Sequence, residues 1–383
     1  MPQVTLINTQ TAWESIAARL AQEPELALDT ESNSLYTYRE RICLVQVATR
    51  EEAFILDPLA VHDLSALGQL LADPSKVKVL HGSDYDLRSL DRDYGFNITS
   101  LFDTETASRF LGETSPNLAS VLATFLGVSI AKSRKLQRSN WALRPLSQEA
   151  LDYAANDVRH LGRLADQLRQ RLERLGRRPW VQEEFQRLER ARYTPIRPPE
   201  VAFYRVKGIE QLRPRALAVF KQLFLWREEE AQRLDRPPFQ VLGNETLVSL
   251  AQASDSSGDA HPARVRAAFP RLSRRFEEGV QAAIRLGLAG PEVSRPGPPR
   301  QDNSWDGDSR QRLQHLKGWR TSRGAALGLD PALLWPAVSL ERLALDPQHW
   351  RAELLDDGAE GGSGDVRTWQ RREFGPELRE LVS

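Results

Sequence analysis

Apolar runs of strand length alternate with helical spacing in the first part of the chain. "ELALDTE", "RICLVQVAT" and "EAFILDP" predict three strands, and the middle run is apolar enough to lie inside a sheet. Short connections favour antiparallel pairing between these neighbours. "KVKVLHG" and "SLFDT" predict two further strands with helical spacing after each, so the pattern indicates an α/β sheet with helices packed against it.

The longest helical pattern, "SQEALDYAANDVRHLGRLADQLRQRLERL", opens at Ser147 and predicts one continuous helix. Tyr153 and Asp157 are four residues apart within it, so a phenol and a carboxylate share one helix face. If this helix packs on the sheet, both groups point into the same cleft.

Proline-rich segments divide the rest of the chain into two helical regions. A Trp-Arg pair, 226–227 in the first region and 319–320 in the second, is followed at the same spacing by a Leu-Ala pair, 250–251 and 343–344. This repetition predicts a duplicated small helical module whose tryptophans lie in the core. The predicted organisation is a sheet domain at 1–190, a linker at 191–207, a helical domain at 208–289, a proline-rich linker at 290–304 and a second helical domain at 305–383.

Charge is distributed unevenly along a chain whose total balances at 52 basic and 52 acidic residues. Residues 1–113 hold 18 acidic against nine basic residues, whereas residues 114–148 hold five basic residues and no acid. An acidic pocket beside a basic strip suits a metal site that also holds a polyanion. A solvated surface remains the alternative for any one of these charged residues.

The single cysteine, Cys43, excludes an intramolecular disulfide framework and a thiolate zinc site, and its apolar surroundings predict a buried position. The N-terminal residues lack the basic lead and apolar core of a signal peptide. No stretch approaches the ~18 apolar residues that span a membrane. We therefore expect a reducing, cytoplasmic setting.

Four carboxylates lie where the predicted elements could bring them together. Asp29 and Glu31 share one face of a strand, Asp86 follows the strand "KVKVL", and Asp157 lies beside Tyr153 on its helix. At ~4 Å and an effective dielectric constant near 20, each pair repels by roughly 4 kcal/mol, so the cluster requires cations. Oxygen ligands without His or Cys suit Mg²⁺ or Mn²⁺, and two such ions can hold a phosphodiester. The cluster predicts metal-dependent phosphodiester hydrolysis.

The chain resembles the RNase D group of 3′–5′ exonucleases, in the tyrosine branch of the DEDD superfamily. "LALDTE", "VLHGSDYDLRSL", "LFDTETASRFLG" and "NWALRPLSQEALDYAANDV" carry this resemblance in order, and the region after Gly208 resembles HRDC modules. The resemblance implies an RNase H-like (DnaQ-like) mixed-sheet exonuclease domain followed by all-α HRDC-type domains.

The resemblance also implies catalytic and metal-binding roles. Asp29 would bridge two divalent ions, Glu31 and Asp157 would complete the site of the ion that carries the nucleophile, and Asp86 would hold the second ion. Tyr153 would hydrogen-bond the attacking water and orient it towards phosphorus.

The basic segment "KSRKLQRSNW" matches the part of the family pattern near the scissile end. Lys132, Gln137 and Arg138 are expected to contact substrate phosphates, and a solvated loop is the alternative for each. Trp141 is expected in the core.

One position departs from the family pattern. Ser32 stands where the family often has a bulky aromatic residue able to pack beside the terminal nucleotide, with Leu35 or Tyr36 as candidate substitutes. The departure leaves the chemistry intact and puts substrate fit in question.

Three neighbours of these motifs have structural interpretations. Asp84 is expected to cap a helix, and His81 to be a hydrogen-bonded structural histidine. Asp103 either supports the site or caps a helix.

The resemblance implies a monomeric exoribonuclease that trims RNA 3′ ends, such as those of tRNA precursors or other structured RNA, and releases nucleoside 5′-monophosphates. The HRDC-type modules would add surface for gripping RNA, and no membrane partner is expected. One alternative is a DNA 3′–5′ exonuclease acting on single-stranded DNA, because the 2′-hydroxyl contacts that separate the two polymers cannot be read from sequence. The other is an RNA-binding scaffold with an inactive nuclease fold.

Overall fold

The computed structural model describes residues 4–130, 133–257, 274–295, 305–354 and 365–382. One six-stranded sheet organises the N-terminal part. Its strands are β1 Val4–Ile7, β2 Glu25–Ser32, β3 Ile42–Ala48, β4 Ala53–Leu56, β5 Val77–Leu80 and β6 Leu101–Asp103.

The sheet is mixed, with strand order β1-β4-β3-β2-β5-β6. β3 runs antiparallel to both β2 and β4, which confirms the pairing expected from their short connections. The β1–β4, β2–β5 and β5–β6 pairs are parallel. Every residue of β3 is buried, so the apolar run "ICLVQVA" is the central strand that its composition predicts.

Nine helices in the described residues of this part pack around the sheet or follow it. They are α1 Gln10–Leu20, α2 Ser65–Ala72, α3 Asp84–Tyr94, α4 Thr104–Arg109, α5 Leu118–Leu126, α6 Arg134–Gln137, α7 Gln148–Arg159, α8 Leu161–Arg174 and α9 Arg178–Glu189. Side chains of α1, α2 and α3 cover one face of the sheet, and those of α5, α7 and α8 cover the other.

The prediction of one continuous helix after Ser147 is wrong, because two helices, α7 and α8, are separated at His160. α7 contacts β3 and β4 as well as β2, whereas α8 contacts β2 and β5. The two helices therefore pack on partly different strands of the sheet. Gly162, just past the break, lies so close to the sheet that a Cβ there would be 3.1 Å from Glu25 Oε1.

The chain divides into two compact units. The first comprises Met1–Ser32, Ile42–Tyr193 and Asp302–Ser383, and the second comprises Asn33–Arg41 and Thr194–Gln301. In the described residues of the second unit the α-helices are α10 Pro199–Ala202, α11 Pro214–Arg233, α12 Pro238–Val241, α13 Asn244–Ser257 and α14 Arg274–Ala289. We call residues 214–289 the first helical module.

The loop between β2 and β3 belongs to the second unit. Gln240 Nε2 donates a hydrogen bond to the carbonyl of Leu35, and the Tyr38 backbone N–H donates to Asp235. The phenol of Tyr38 donates to Glu228 of α11. The loop that leaves the Asp29–Glu31 strand is therefore held by the first helical module.

The described residues within 307–382 form the second helical module, which lies within the first unit. Its helices are α15 Gly307–Leu327, α16 Pro331–Leu334, α17 Ala337–Leu345, α18 Trp350–Leu354 and α19 Thr368–Val382. The Trp369 ring stacks on Trp180 of α9 at 5.0 Å between centroids, and the Glu183 carboxylate accepts the backbone N–H groups of Thr368 and Trp369.

The repetition read from the sequence corresponds to repeated structure. In both modules a long helix is followed by a four-residue helix that starts with proline and then by a third helix. Arg227 donates to the carbonyl of Leu242, and Arg320 donates to the carbonyl of Trp335, each 15 residues further along. The Leu-Ala pairs at 250–251 and 343–344 are buried, and Trp226 and Trp319 pack partly buried against their cores.

The structure bears out the burial expected of Cys43, which is fully enclosed. Within the described ranges no helix is both long enough and apolar enough to cross a lipid bilayer.

Candidate active site

Asp29 and Glu31 lie in the part of β2 that is no longer paired with β5. Its pairing with β5 ends at Ala27, so the following residues keep β3 as their only described strand partner. Asp29 lies opposite Gln46 and Glu31 opposite Leu44, and the register shifts between Glu31 and Ser32. Such a bulge changes the direction of the strand and of the side chains beside it.

α7 brings Asp157 to the same place. The buried alanines Ala150 and Ala154 pack this helix against the sheet, and small side chains allow a close approach. Carboxylate oxygens of Asp29, Glu31 and Asp157 then lie within 4.8 Å of one another.

Asp86 stands beside this group of three, in the first turn of α3. Its buried carboxylate accepts a 2.5 Å hydrogen bond from the hydroxyl of Thr30, the residue between Asp29 and Glu31. Asp86 is not part of the group within 4.8 Å, yet its charge raises the pKa of Asp29.

Burial and mutual repulsion hold protons on the cluster. Burial is the largest cause of the raised pKa of Asp29, followed by the charges of Asp86, Asp157 and Glu31. Burial, Asp157 and Asp86 raise the pKa of Glu31 well above its usual value. Burial raises the pKa of Asp157 to about 7, and it raises that of Asp86 to about 6 against the opposing hydrogen bond from Thr30. A cluster of this kind binds either protons or cations at neutral pH.

Tyr153 lies one helical turn before Asp157 and faces the same cluster. Its partly buried position, and then the charges of Asp157, Glu31 and Asp29, raise the pKa of its phenol. The phenol is therefore protonated at any pH near neutrality and can donate a hydrogen bond.

The ring of Tyr153 packs against a buried aromatic side chain. Trp141, 1% exposed, lies 6.2 Å from it between ring centroids at an interplanar angle of 29°, and this burial confirms its predicted core position. Arg144 donates to the carbonyl oxygens of Trp141 and Cys43 and forms two hydrogen bonds with the buried carboxylate of Asp57. Arg144, one of the five basic residues of the strip at residues 114–148, is thus paired within the fold.

Of the three residues predicted to contact substrate phosphates, the structure describes two. Lys132 lies outside the described residues. Gln137 ends α6 and Arg138 follows it, and both are exposed, a few residues before Trp141.

The prediction that Asp84 caps a helix is wrong. α3 begins at Asp84 itself, with Ser83 at the N-cap position, and the Asp84 carboxylate pairs instead with Arg88 one turn later. An acid in the first turn still favours the helix dipole, which explains why the sequence suggested a cap there.

Asp103 caps α4 and also connects it to the residue just before α3, the helix that carries Asp86. One carboxylate oxygen accepts the N–H of Thr106 in α4, and the other accepts the N–H of Ser83 just before α3. His81 is a structural histidine as expected, because its Nδ1 lies 2.9 Å from the hydroxyl of Thr104 and burial lowers its pKa.

Two residues near the cluster were not predicted from the sequence. Gln46 is fully buried opposite Asp29, and its amide has no hydrogen-bond partner within the described residues. The signal for it was a lone polar residue in an otherwise apolar strand. Tyr85 lies with its phenol oxygen 2.8 Å from the hydroxyl of Ser32, a contact between distant segments that leaves no trace in the sequence.

The donor set fits a hard divalent cation. In the part of the chain that the structure describes, none of the four carboxylates forms an ion pair with Lys, Arg or His, although all four have raised pKa values. Closely spaced carboxylate oxygens without nitrogen or sulfur ligands are the coordination that Mg²⁺, Mn²⁺ and Ca²⁺ favour.

Comparison with known proteins identifies two domain families that the chain matches and several proteins that it resembles. Residues 4–173 match a 3′–5′ exonuclease domain family, and residues 216–258 match the HRDC domain family. Ribonuclease D of Gluconacetobacter diazotrophicus is 33% identical over 94% of this chain and 92% of its own length, and that of Pseudomonas paraeruginosa is 31% identical over 98% and 97%.

Two solved structures have a similar fold. The crystal structure of Escherichia coli RNase D, an exoribonuclease involved in structured RNA processing, has a TM-score of 0.71 and 26% identity over 99% of this chain and 98% of that one. The catalytic core of RRP6 from Trypanosoma brucei has a TM-score of 0.66 and 28% identity over 75% and 79% of the two chains.

Proposed function

Because the chain belongs to the ribonuclease D family, and is thereby a 3′–5′ exoribonuclease, we propose that Asp29, Glu31, Asp86, Asp157 and Tyr153 form its hydrolytic centre. Each cycle would cleave the 3′-terminal phosphodiester bond and release a nucleoside 5′-monophosphate. The observation that carries the proposal is the convergence of Asp29, Glu31 and Asp157 within 4.8 Å.

Two divalent ions, Mg²⁺ or Mn²⁺, are the proposed cofactors. Asp29 would ligate both ions, Glu31 and Asp157 would share one of them, and Asp86 would ligate the other. The position of Asp86 outside the group of three supports this division. When bound, such ions supply a hydroxide nucleophile and stabilise the leaving oxygen.

The protein's own side chains orient the reactants. The phenol of Tyr153 keeps its proton and donates a hydrogen bond to the oxygen of the attacking water, and Trp141 limits the tilt of its ring. Thr30 holds the Asp86 carboxylate in one orientation. These contacts arrange the nucleophile before RNA binds, which lowers the entropic part of the barrier.

The proposed substrates are 3′ ends of structured RNA, including tRNA precursors. The relative from Escherichia coli, described as involved in structured RNA processing, supports this class, as does the HRDC match at residues 216–258. Gln137 and Arg138 are exposed and can contact phosphates near the cleaved bond. Lys132 is proposed for the same role on its sequence position alone.

The test compares 5′-labelled RNA and DNA of one sequence, each with a free or blocked 3′ end, in Mg²⁺, Mn²⁺ or a chelator. We expect a ladder that shortens from the 3′ end of RNA, lost in chelator and in Asp29→Asn. Asp84→Asn is the matched control, because this carboxylate is close in sequence to Asp86 but pairs with Arg88 outside the cluster. Cleavage that persists in chelator, or that Asp29→Asn retains, contradicts the proposal, and equal shortening of DNA contradicts the RNA assignment.

A further inference from the structure

An aromatic side chain stands exposed beside the acidic cluster. Tyr85 belongs to the first turn of α3, directly before Asp86, and its side chain is 46% exposed. Its phenol oxygen lies 2.8 Å from the hydroxyl of Ser32, the residue directly after Glu31.

Two hydrogen bonds run side by side between β2 and the start of α3. Thr30 bonds to Asp86, and Ser32 bonds to Tyr85. The first bond lies within the buried cluster and the second lies at its exposed edge. The Tyr85 side chain is therefore exposed at the edge of the carboxylate cluster.

The hydroxyl contact restricts how the ring can move. A tyrosine has two side-chain torsions, and tying its oxygen to Ser32 removes much of their freedom before any ligand arrives. The short side chain of Ser32 places its hydroxyl within hydrogen-bond distance of the phenol. The result is a flat apolar surface held in one orientation.

Such a surface suits a nucleobase. Stacking of a base on an aromatic ring contributes roughly 1–3 kcal/mol to binding and works for every base, because each presents a flat π face. An exonuclease that accepts any 3′-terminal residue requires recognition of this sequence-tolerant kind.

We propose that Tyr85 determines how the 3′-terminal nucleotide is bound, by packing its ring against the base or ribose while Ser32 holds the phenol. This inference rests on the proposed function, because it assumes that an RNA 3′ end enters the acidic site. Tyr85 helps to bind the terminal nucleotide, whereas the carboxylates and Tyr153 carry out the hydrolysis.

The ring and the hydroxyl make separable contributions. If Tyr85 stacks on the terminal nucleotide, Tyr85→Phe keeps the ring and most of the effect, whereas Tyr85→Leu removes the flat surface. If the Ser32 contact only joins β2 to α3, the two substitutions are equivalent, because both remove the hydroxyl. Ser32→Ala releases the phenol without altering the ring.

The experiment uses the full chain and an RNA oligonucleotide with 2-aminopurine as its 3′-terminal base. Binding is measured in chelator, where hydrolysis stops, by the quenching of the terminal 2-aminopurine. The same base at an internal position is the control probe. Leu175→Ala, which removes another exposed apolar side chain at the C-terminal end of α8, is the control variant.

We expect wild type, Tyr85→Phe and Leu175→Ala to quench the terminal probe and Tyr85→Leu to lose that quenching, with the internal probe unchanged. In Mg²⁺, Tyr85→Leu raises KM about 10-fold while kcat stays within a few fold, and Ser32→Ala raises KM by less. Thermal melting checks that each variant is folded. Retained terminal quenching in folded Tyr85→Leu, or equal losses in the Phe and Leu variants, overturns the inference. Failure of wild type to shorten RNA from its 3′ end would instead overturn the proposed function.

Discussion

The carboxylates of Asp29 and Asp157 come within 4.8 Å of each other, although one lies on the second strand and the other on the seventh helix. No cationic side chain in the described residues pairs with either. The fold thus keeps two like charges together in a buried place, at a cost in stability that protons or metal ions can offset.

That cost predicts an unusual dependence of stability on pH in the metal-free protein. The pKa of Asp157 is about 7 in the folded state against an ordinary 3.8, so between these values the folded protein binds more protons than the unfolded chain. The free energy of unfolding therefore falls as pH rises from about 4 to about 7. Asp157→Asn, which cannot ionise, should raise that free energy by roughly 2–4 kcal/mol at pH 8 and change it little at pH 4.

Urea denaturation in chelator at both pH values measures this effect. Asp84→Asn is its control, because Arg88 lowers the pKa of that carboxylate and no gain is expected. A loss of stability in Asp157→Asn at pH 8 would show that the cluster is not under strain.

Divalent ions should stabilise the wild-type protein through the same carboxylates. Saturating Mg²⁺ at about 100 times its dissociation constant adds about 2.7 kcal/mol to the free energy of unfolding, and the gain grows with pH as protons leave the cluster. Thermal melting with and without Mg²⁺ measures it. Asp29→Asn should abolish the shift, and an equal shift in that variant would place the ions elsewhere.

Tyr153→Phe should separate catalysis from binding. Loss of the phenol removes the hydrogen bond that orients water, so we expect kcat to fall roughly 10²-fold. RNA affinity in chelator and the Mg²⁺-induced thermal shift should stay unchanged, since the ring still packs on Trp141. The raised pKa of the phenol also predicts that wild-type activity does not decline from its ionisation below about pH 10. A raised KM with unchanged kcat would assign Tyr153 to binding instead.

Arg144 should support both the fold and the position of Tyr153. Arg144→Ala leaves the 4% exposed carboxylate of Asp57 without its cationic partner, which should cost roughly 2–4 kcal/mol and loosen the segment that carries Trp141. We expect lower kcat as well as lower stability. Adding Asp57→Asn to Arg144→Ala should recover part of the stability, measured by urea denaturation, and no recovery would mean that the ion pair is not the cause.

Arg227 should stabilise the first helical module from within. It is 5% exposed and donates to the Leu242 carbonyl and the Asn244 side chain, so Arg227→Ala should cost roughly 1–3 kcal/mol. Arg233, exposed at the end of the same helix and paired with Glu230, provides a control that should cost less than about 0.5 kcal/mol as alanine. Similar losses from both substitutions in urea denaturation would contradict this assignment.

The sequence predicted best the features that short connections and repeated spacings determine. The antiparallel pairing of β2, β3 and β4 followed from short connections, and the repeated modules followed from matching Trp-Arg and Leu-Ala spacings. The continuous helix was wrong because its apolar spacing carries through His160, while the turn there depends on which strands each half contacts. The Asp84 cap was wrong because an acid is favourable both at a cap and one position later.

The sequence by itself determined which residues could share a face: Asp29 with Glu31 on a strand, and Tyr153 with Asp157 on a helix. It also supplied the motifs by which the chain resembles its family. Only the tertiary structure decided that these faces meet, that Asp86 stands beside the other three carboxylates, that Arg144 pairs with Asp57 and that Tyr85 contacts Ser32. The reason is physical: periodicity fixes side-chain direction within one element, whereas distances between elements depend on how their buried surfaces pack.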